Sequence, residues 1–187
     1  MANAEELELL KQGVEVWNKW RMENSRGRID LSAVNLSGAN LKGADLERAN
    51  LIEANLIGTD LSEANLSGAD LEGANLTRAS LGGANLSGAN ISRAYLSDAD
   101  IRRADLSGAN LSRANLSKAD LQEVNLQKAD LFKANLSNAD LRRANLREAN
   151  LSDAILVGAR IYNGGLDGAV LTRAALSDLE IMPDTSR

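Results

Sequence analysis

A leucine or isoleucine returns at every fifth residue from Leu31 to Ile181, without an insertion or a skipped position. This spacing suits neither regular secondary structure. On an α-helix, a step of five residues rotates a side chain by about 140°, so no apolar stripe forms. Along a β-strand, an odd step places successive side chains on opposite faces of the sheet. Neither a helix nor a flat sheet would therefore bury this set of side chains.

The residues around each central leucine repeat as well. The position two residues earlier is Ala in 25 of 31 cases, and the position between them is Asn or Asp nearly throughout residues 30–150. In a short extended segment, Ala and Leu share the inward side while Asn or Asp points outward. The next two residues are often Ser-Gly, which favours a turn. Each pentad therefore predicts one short side and one corner. The sides can all face inward only if the chain coils around an axis, with like residues stacked about 4.8 Å apart.

The corners differ along the chain. Gly stands two residues after the central position at eight corners between Gly38 and Gly108, but at none from Arg113 to Asp153. A type II turn favours Gly at this position, because its second central residue has a positive φ. We therefore expect the corner geometry to differ between the two halves of the array.

The composition argues against catalysis. The chain has no Cys and no His, so a thiolate metal site, a thiol nucleophile and the usual base of a nucleophilic triad are all absent. No glycine-rich phosphate loop of the GxxxxGK type is present. The net charge of −5 disfavours direct binding to nucleic acid, which needs clustered Lys and Arg. We expect a non-enzymatic protein without a cofactor.

The first residues, MANAEELELLKQG, are acidic and contain no long apolar run. No segment approaches the roughly 18 consecutive apolar residues that a membrane helix requires. We therefore expect neither a signal peptide nor a membrane segment, and a cytoplasmic location.

The repeated pattern A(N/D)LSG, written ANLSG at residues 64–68 and 84–88, resembles the signature of the pentapeptide-repeat family over about residues 29–183. The resemblance implies an all-β solenoid, namely a right-handed quadrilateral β-helix with four pentads per coil. The array would then form seven to eight coils. With its N-terminal helix, the chain resembles cyanobacterial members of the family.

We expect three regions: a capping helix and link over residues 1–28, the β-helix over 29–183, and a short tail over 184–187. The helix is predicted from about Ala4 to Met22, with Asn3 and Glu6 in a capping-box pattern. Its apolar face would cover the first coil, although the two tryptophans could alternatively stack on a ligand. The capping side chains are Leu7, Leu10, Val14, Trp17 and Trp20.

Outward apolar side chains are the candidates for a partner surface. Several lie on a nearly neutral face, rich in Ser and Asn, that contains Leu36 and Leu56. The candidates are Ile52, Ile57, Tyr95, Phe132, Ile155, Val157 and Tyr162. The irregular C-terminal coil either covers itself, which leaves a monomer, or meets a second copy in an end-to-end homodimer.

One acidic column raises the question of a metal. With four pentads per coil, Asp100, Asp120 and Asp140 stack on one face. Stacked carboxylates repel one another, share a proton or hold a hard cation such as Ca²⁺. Arg102 and Arg142 lie on the same face, which favours an exposed ladder of ion pairs.

These observations favour a structural or regulatory interaction solenoid that presents rigid flat faces to an unknown protein partner. The alternative comes from a subgroup of the resembled family, whose members mimic DNA and bind type II topoisomerases such as gyrase. The modest negative charge and the lack of loop insertions count against that alternative.

Overall fold

The computed structural model describes residues 4–24 and 29–182. Two helices, α1 (Ala4–Lys11) and α2 (Val14–Glu23), precede a right-handed, four-sided β-helix. Its C-terminal part contains the strands β1 (Asp140–Leu141), β2 (Arg160–Tyr162) and β3 (Glu180–Met182), and a 3₁₀-helix at Asn163–Leu166. The strands pair in parallel in the order β1-β2-β3. None of the described helices is long and apolar enough to cross a membrane.

Each residue of the β-helix stacks on the residue twenty positions later. Parallel bridges follow this register from Asp30–Asn50 to Ile155–Ala175, and the pairing of β1 with β2 and of β2 with β3 continues it. Four pentads therefore make one coil, as the resemblance implied. At about 4.8 Å per coil, the rod is roughly 35 Å long.

One pentad, residues 65–69, shows how the repeat satisfies its backbone. The N–H groups of Leu66 and Gly68 donate to carbonyls of the following coil, at 2.7 and 2.9 Å, and that of Asn65 donates to the preceding coil at 3.0 Å. The N–H of Ala69 closes the turn onto the Leu66 carbonyl at 3.0 Å. The fifth N–H, that of Ser67, donates to the side-chain Oδ1 of Asn65 at 3.2 Å. The outward Asn or Asp thus completes the backbone hydrogen bonding of its own pentad.

The outward Asn side chains also link successive coils. Asn50 donates from Nδ2 to the Oδ1 of Asp30 at 3.0 Å, and Asn110 donates in the same way to Asn90 at 3.2 Å. Every such bond runs from the later coil to the earlier one. Asp can accept in this ladder but cannot donate, because an ionised carboxylate carries no proton.

The core is a stack of leucine and alanine side chains. Every central position from Leu31 to Ile161 is at most 6 % exposed. The positions two residues before these centres are buried to the same extent, except for the partly buried Ala39. Thr59 replaces Ala at one position and is fully buried, and its Oγ1 donates to the Leu36 carbonyl at 2.8 Å. The substitution is tolerated because the hydroxyl finds a backbone acceptor.

The prediction that corner geometry differs between the two halves is wrong. The second corner residue has φ between 53° and 70° at every corner from Ala33 to Asp153, whether or not it is Gly. This left-handed conformation costs a non-glycine residue roughly 1–2 kcal/mol. Away from the two ends of the β-helix, the same three inter-coil hydrogen bonds recur from pentad to pentad, so the stacking imposes one corner geometry on all residue types.

The N-terminal helix is interrupted, whereas a single helix from Ala4 to Met22 was predicted. The N–H groups of Gln12 and Gly13 bond to the carbonyls of Leu9 and Leu10, which ends α1. Gly13 then adopts φ 116°, a conformation that favours glycine, and α2 begins at Val14. The break turns the second helix across the first coil.

Candidate interaction surfaces

The four sides of the β-helix are called faces 1 to 4, after the central residues Leu31, Leu36, Leu41 and Leu46 and the residues stacked on them in steps of twenty. On each face, the Asn/Asp position and the first corner residue point to solvent. The second corner residue lies on the edge between that face and the next. Steps of twenty thus assign each outward side chain to a face or an edge.

Helix α2 supplies side-chain groups to the open end of the first coil. The indole Nε1 of Trp17 donates to the Asp45 carbonyl at 2.8 Å, and Nη2 of Arg21 donates to the Glu47 carbonyl at 3.3 Å. In the second coil, the carbonyls at the equivalent positions accept backbone N–H groups that the first coil donates. The indole and the guanidinium therefore take the place of two backbone donors of a preceding coil.

Two further side chains accept from the first coil. Asn18 accepts the Asp45 N–H at its Oδ1, at 2.8 Å, and Glu6 accepts the Asp30 N–H at 2.9 Å. Sequence reasoning assigned Glu6 to a capping box with Asn3, which lies outside the described residues. Glu6 instead caps the β-helix, because the first coil has no preceding coil to accept its N–H groups.

The tryptophan pair lies inside the cap. Its ring centroids are 5.2 Å apart, and Trp17 is fully buried while Trp20 is half-buried. Leu10 is also buried, and Leu7 and Val14 pack against the same core. A ligand cannot stack on the ring of Trp17, because protein already covers it.

Four of the candidate partner residues lie on face 2. Ile57, Tyr95 and Ile155 are 40, 53 and 41 % exposed, and Val157 is half-buried. In the observed register, Tyr95 lies two coils from Ile57 and three coils from Ile155. These separations correspond to roughly 10 and 14 Å along the rod. The apolar side chains therefore stand apart on a neutral face instead of forming one continuous patch.

The other three candidates lie elsewhere. Ile52 and Phe132 are half-buried on face 1, and Tyr162 is half-buried on face 3 at the end of β2. The ammonium of Lys133 stands 5.0 Å from the centroid of the Phe132 ring. The seven candidates are thus distributed over three faces.

The acidic column of face 3 is paired with arginine. Arg102 makes two hydrogen bonds to Asp100, at 2.6 and 2.8 Å, and Arg142 binds Asp140 in the same way. The side-chain hydrogen bond from Arg102 holds the pKa of Asp100 below its ordinary value. Burial alone would raise the pKa of Asp140, but the hydrogen bonds from Arg142 hold it below its ordinary value. Among the described residues, no group of three acidic side chains is arranged to hold a metal ion.

A notch interrupts face 3 where Gly82 and Gly83 carry no side chain. It has a volume of 420 Å³ and is bordered by Asp100, Arg102 and Glu123, among others. The cations and carboxylates around it are already paired with one another, Arg102 with Asp100 and Arg103 with Glu123. The notch therefore offers space without an uncompensated charge.

Charges alternate on the edge between faces 3 and 4, where Glu123 pairs with Arg103 at 3.1 Å and with Arg143 at 3.6 Å. The edge between faces 1 and 2 differs, because it carries three cations in successive coils. They are Arg93, Arg113 and Lys133. Sequence reasoning overlooked this column, although counting in steps of twenty from the second corner position finds it.

The C-terminal coil leaves part of its core open. Leu176 and Ile181, both at central positions, are 41 and 57 % exposed, whereas Leu156 and Ile161, on which they stack, are each 1 % exposed. Within residues 29–182, the N–H groups of Leu171 and Leu176 have no acceptor in a following coil. Among the described residues, this end therefore exposes apolar side chains and backbone N–H groups that have no inter-coil acceptor.

Comparison with known proteins finds the same repeat. The family model described as pentapeptide repeats (8 copies) matches residues 29–68, 64–103, 99–138 and 134–173. No curated protein sequence matches the chain significantly.

Solved structures give a similar picture. A trypsin-treated form of QnrB1, a plasmid-mediated fluoroquinolone resistance protein, matches with a TM-score of 0.59 at 20 % identity, over 81 % of this chain and 87 % of that chain. HetL from the cyanobacterium Nostoc sp. strain PCC 7120, a pentapeptide repeat protein involved in heterocyst differentiation regulation, is 34 % identical over 90 % of this chain and 97 % of its own, with a TM-score of 0.33. At its level of identity, the match to QnrB1 shows a shared fold.

Proposed function

The chain belongs to the pentapeptide-repeat family, and from this premise we propose that it is a non-enzymatic interaction solenoid of the cytoplasm. In this role it presents rigid flat faces to a protein partner. The observation that carries the proposal is the separation of core from surface. Leu and Ala fill the core almost without variation, while the two outward corner side chains of each pentad vary from coil to coil.

The faces are pre-organised for binding. The Asx hydrogen bonds within pentads and the Asn bonds between coils hold outward side chains in fixed positions, as at Asn65 and Asn110. Ordering a mobile side chain on binding costs about 0.5–1.5 kcal/mol, so a face that is ordered before binding avoids this loss. A rigid face also fixes the spacing of its contacts along the rod.

Face 2 is the proposed partner surface. It is nearly neutral and exposes Ile57, Tyr95 and Ile155 among small Asn and Ser side chains. Covering a neutral face has a small desolvation cost because no charged group loses its hydration. The apolar side chains then supply most of the favourable free energy of contact. Ile52, Phe132 and Tyr162 then lie outside the centre of the interface.

A capture experiment from native lysate tests this proposal. Wild-type protein is expected to enrich a specific partner, and Ile57→Glu is expected to lose it. Met22→Glu is the matched control, because Met22 is an exposed apolar residue on α2 and receives the same charge. The proposal fails if wild-type protein enriches nothing, or if both variants capture the partner equally well.

DNA mimicry of a type II topoisomerase is the second candidate. It is supported by the acidic rod, with a net charge of −5, and by the fold shared with QnrB1. The pairing of the acidic column with Arg102 and Arg142 weakens it, because a DNA mimic needs uncompensated negative charge. A DNA supercoiling assay with gyrase tests this candidate. If micromolar protein does not inhibit supercoiling, DNA mimicry is excluded.

The open C-terminal coil is proposed to pair with that of a second copy in an end-to-end homodimer. Exposed Leu176 and Ile181 would be buried, and the unpaired backbone would find partners. Sedimentation velocity should show a dimer that Leu176→Glu dissociates and Met22→Glu, at the opposite end, leaves intact. A monomer at high protein concentration would refute the homodimer.

A further inference from the structure

Three cations form an unbroken column on the edge between faces 1 and 2. Arg93, Arg113 and Lys133 stack in successive coils and have nearly equal φ values of 59, 62 and 58°. Their side chains therefore leave the backbone in parallel, about 4.8 Å apart. All three are exposed. We call them the basic column.

The basic column is less neutralised than the acidic column of face 3. Arg93 forms an exposed ion pair with Glu72 at 3.4 Å, and Lys133 lies over the Phe132 ring. Among the described residues, no carboxylate lies within ion-pair distance of Arg113 or Lys133. Like charges stacked side by side destabilise a sheet unless a counter-charge is supplied. The structure thus leaves room for an external anion at the middle of the column.

We propose that the basic column docks a short, extended acidic segment of a protein partner, an inference that rests on the interaction role proposed above. In an extended peptide, alternate side chains on one side are about 6.6–6.8 Å apart. Two such carboxylates can each lie between two neighbouring cations of the column. The exposed pair between Arg93 and Glu72 is weak enough to exchange for a carboxylate of the partner.

The neighbouring aromatic side chains add an apolar contact. Tyr95 follows Arg93 by two residues on face 2 and is 53 % exposed. Phe132 lies on face 1, directly before Lys133. A segment that runs along the column would therefore contact the cations and have an aromatic side chain on either side, Tyr95 next to Arg93 on face 2 and Phe132 next to Lys133 on face 1. An acidic segment with an apolar residue fits this arrangement.

The length of the column favours a peptide over a nucleic acid. The three cations span only about 10 Å. On the same edge, Glu53 lies two coils before the column, with Gly73 between them, and Asp153 follows directly after it. A long polyanion would meet these carboxylates and the net charge of −5 beyond the column. A peptide with two or three carboxylates would not.

Fluorescence anisotropy with a labelled peptide tests the proposal. The probe is a heptapeptide of sequence Ser-Glu-Ser-Glu-Ser-Leu-Ser, whose two carboxylates and one apolar residue lie on the same side of the extended chain, and its analogue carries Gln in place of Glu. We expect the acidic peptide to bind and the Gln analogue not to bind. Arg113→Glu should weaken binding at least about fivefold, since it replaces one attraction with one repulsion.

Lys128→Glu is the matched control. Lys128 occupies the same corner position on another edge, with φ 60°, and the substitution changes the net charge equally. It should alter binding less than about twofold. Equal loss in both variants, or no binding of the acidic peptide at millimolar concentration, overturns the proposal. A single-stranded oligothymidylate that binds more tightly than the peptide, and that Arg113→Glu also weakens, would identify nucleic acid as the occupant.

The two proposals can fail separately. If lysate capture remains sensitive to Ile57→Glu while the acidic peptide does not bind, the basic column is not a docking site and the interaction role stands. If wild-type protein captures no partner while the peptide binds with the expected dependence on Arg113, the column binds acidic segments and the proposed use of face 2 is wrong.

Discussion

Replacing Trp17 by Phe tests whether the cap acts as a substitute for a preceding coil. The substitution keeps an aromatic ring in a fully buried position but removes the indole N–H, which lies 2.8 Å from the Asp45 carbonyl. Leaving a part-buried carbonyl without its donor costs about 1–3 kcal/mol, and the smaller ring adds a small cavity. For a chain of this length, we expect the melting temperature to fall by roughly 5–10 °C. Circular dichroism measures the change without relying on tryptophan fluorescence.

Trp20→Phe is the control for this experiment. Trp20 is half-buried, and its indole N–H has no hydrogen-bond partner among the described residues. Hydrogen exchange should show faster exchange of first-coil amides in Trp17→Phe and little change in Trp20→Phe. Equal shifts of melting temperature in the two variants, with equal exchange, would refute the reasoning and leave the cap acting by packing alone.

Three further predictions concern the rod itself. Leu111→Ala should destabilise the protein by about 3–5 kcal/mol in denaturant unfolding, because Leu111 is fully buried and the stacked coils cannot collapse into the cavity. Asn110→Asp should cost about 1 kcal/mol by the same assay, since it keeps an acceptor for its own pentad but loses the donor to Asn90. Arg102 holds the pKa of Asp100 below its ordinary value, so the stabilisation is present above the unfolded pKa and is lost as the pH falls through the folded pKa. Melting temperatures of the wild type and Asp100→Asn should therefore differ at pH 7, begin to approach one another below about pH 4, and converge once the pH is below the lowered pKa of Asp100 in the folded state.

Most of the fold follows from the sequence because the repeat allows few alternatives. A five-residue period that buries Leu and Ala requires a coil, and the resemblance to a known family supplied four pentads per coil. The corner geometry could not be read from residue preference. At Arg113 and Lys133, for example, the stacking of coils overrides the preference for Gly. The break at Gly13 was missed because the apolar spacing from Leu7 to Trp17 continues across it.

The surfaces were less predictable. Sequence composition identified single apolar residues such as Ile57 and Tyr95, but their separation along the rod depends on the register between coils. The hydrogen bond from Trp17 to the first coil depends on how α2 crosses the open end, which no local pattern encodes. The basic column could have been predicted from the sequence, since the same steps of twenty that place Asp100 next to Asp120 also place Arg93 next to Arg113.

The two periods of the β-helix have different consequences for how such a chain changes during evolution. The core repeats every five residues, whereas a face repeats every twenty. Duplication of one coil would lengthen the rod and leave every face in place. Duplication of one pentad would preserve the core equally well but rotate all later residues by a quarter turn, so that the side chains of face 1 would continue on face 2. A small insertion at one point can thus recombine entire surfaces without disturbing the interior.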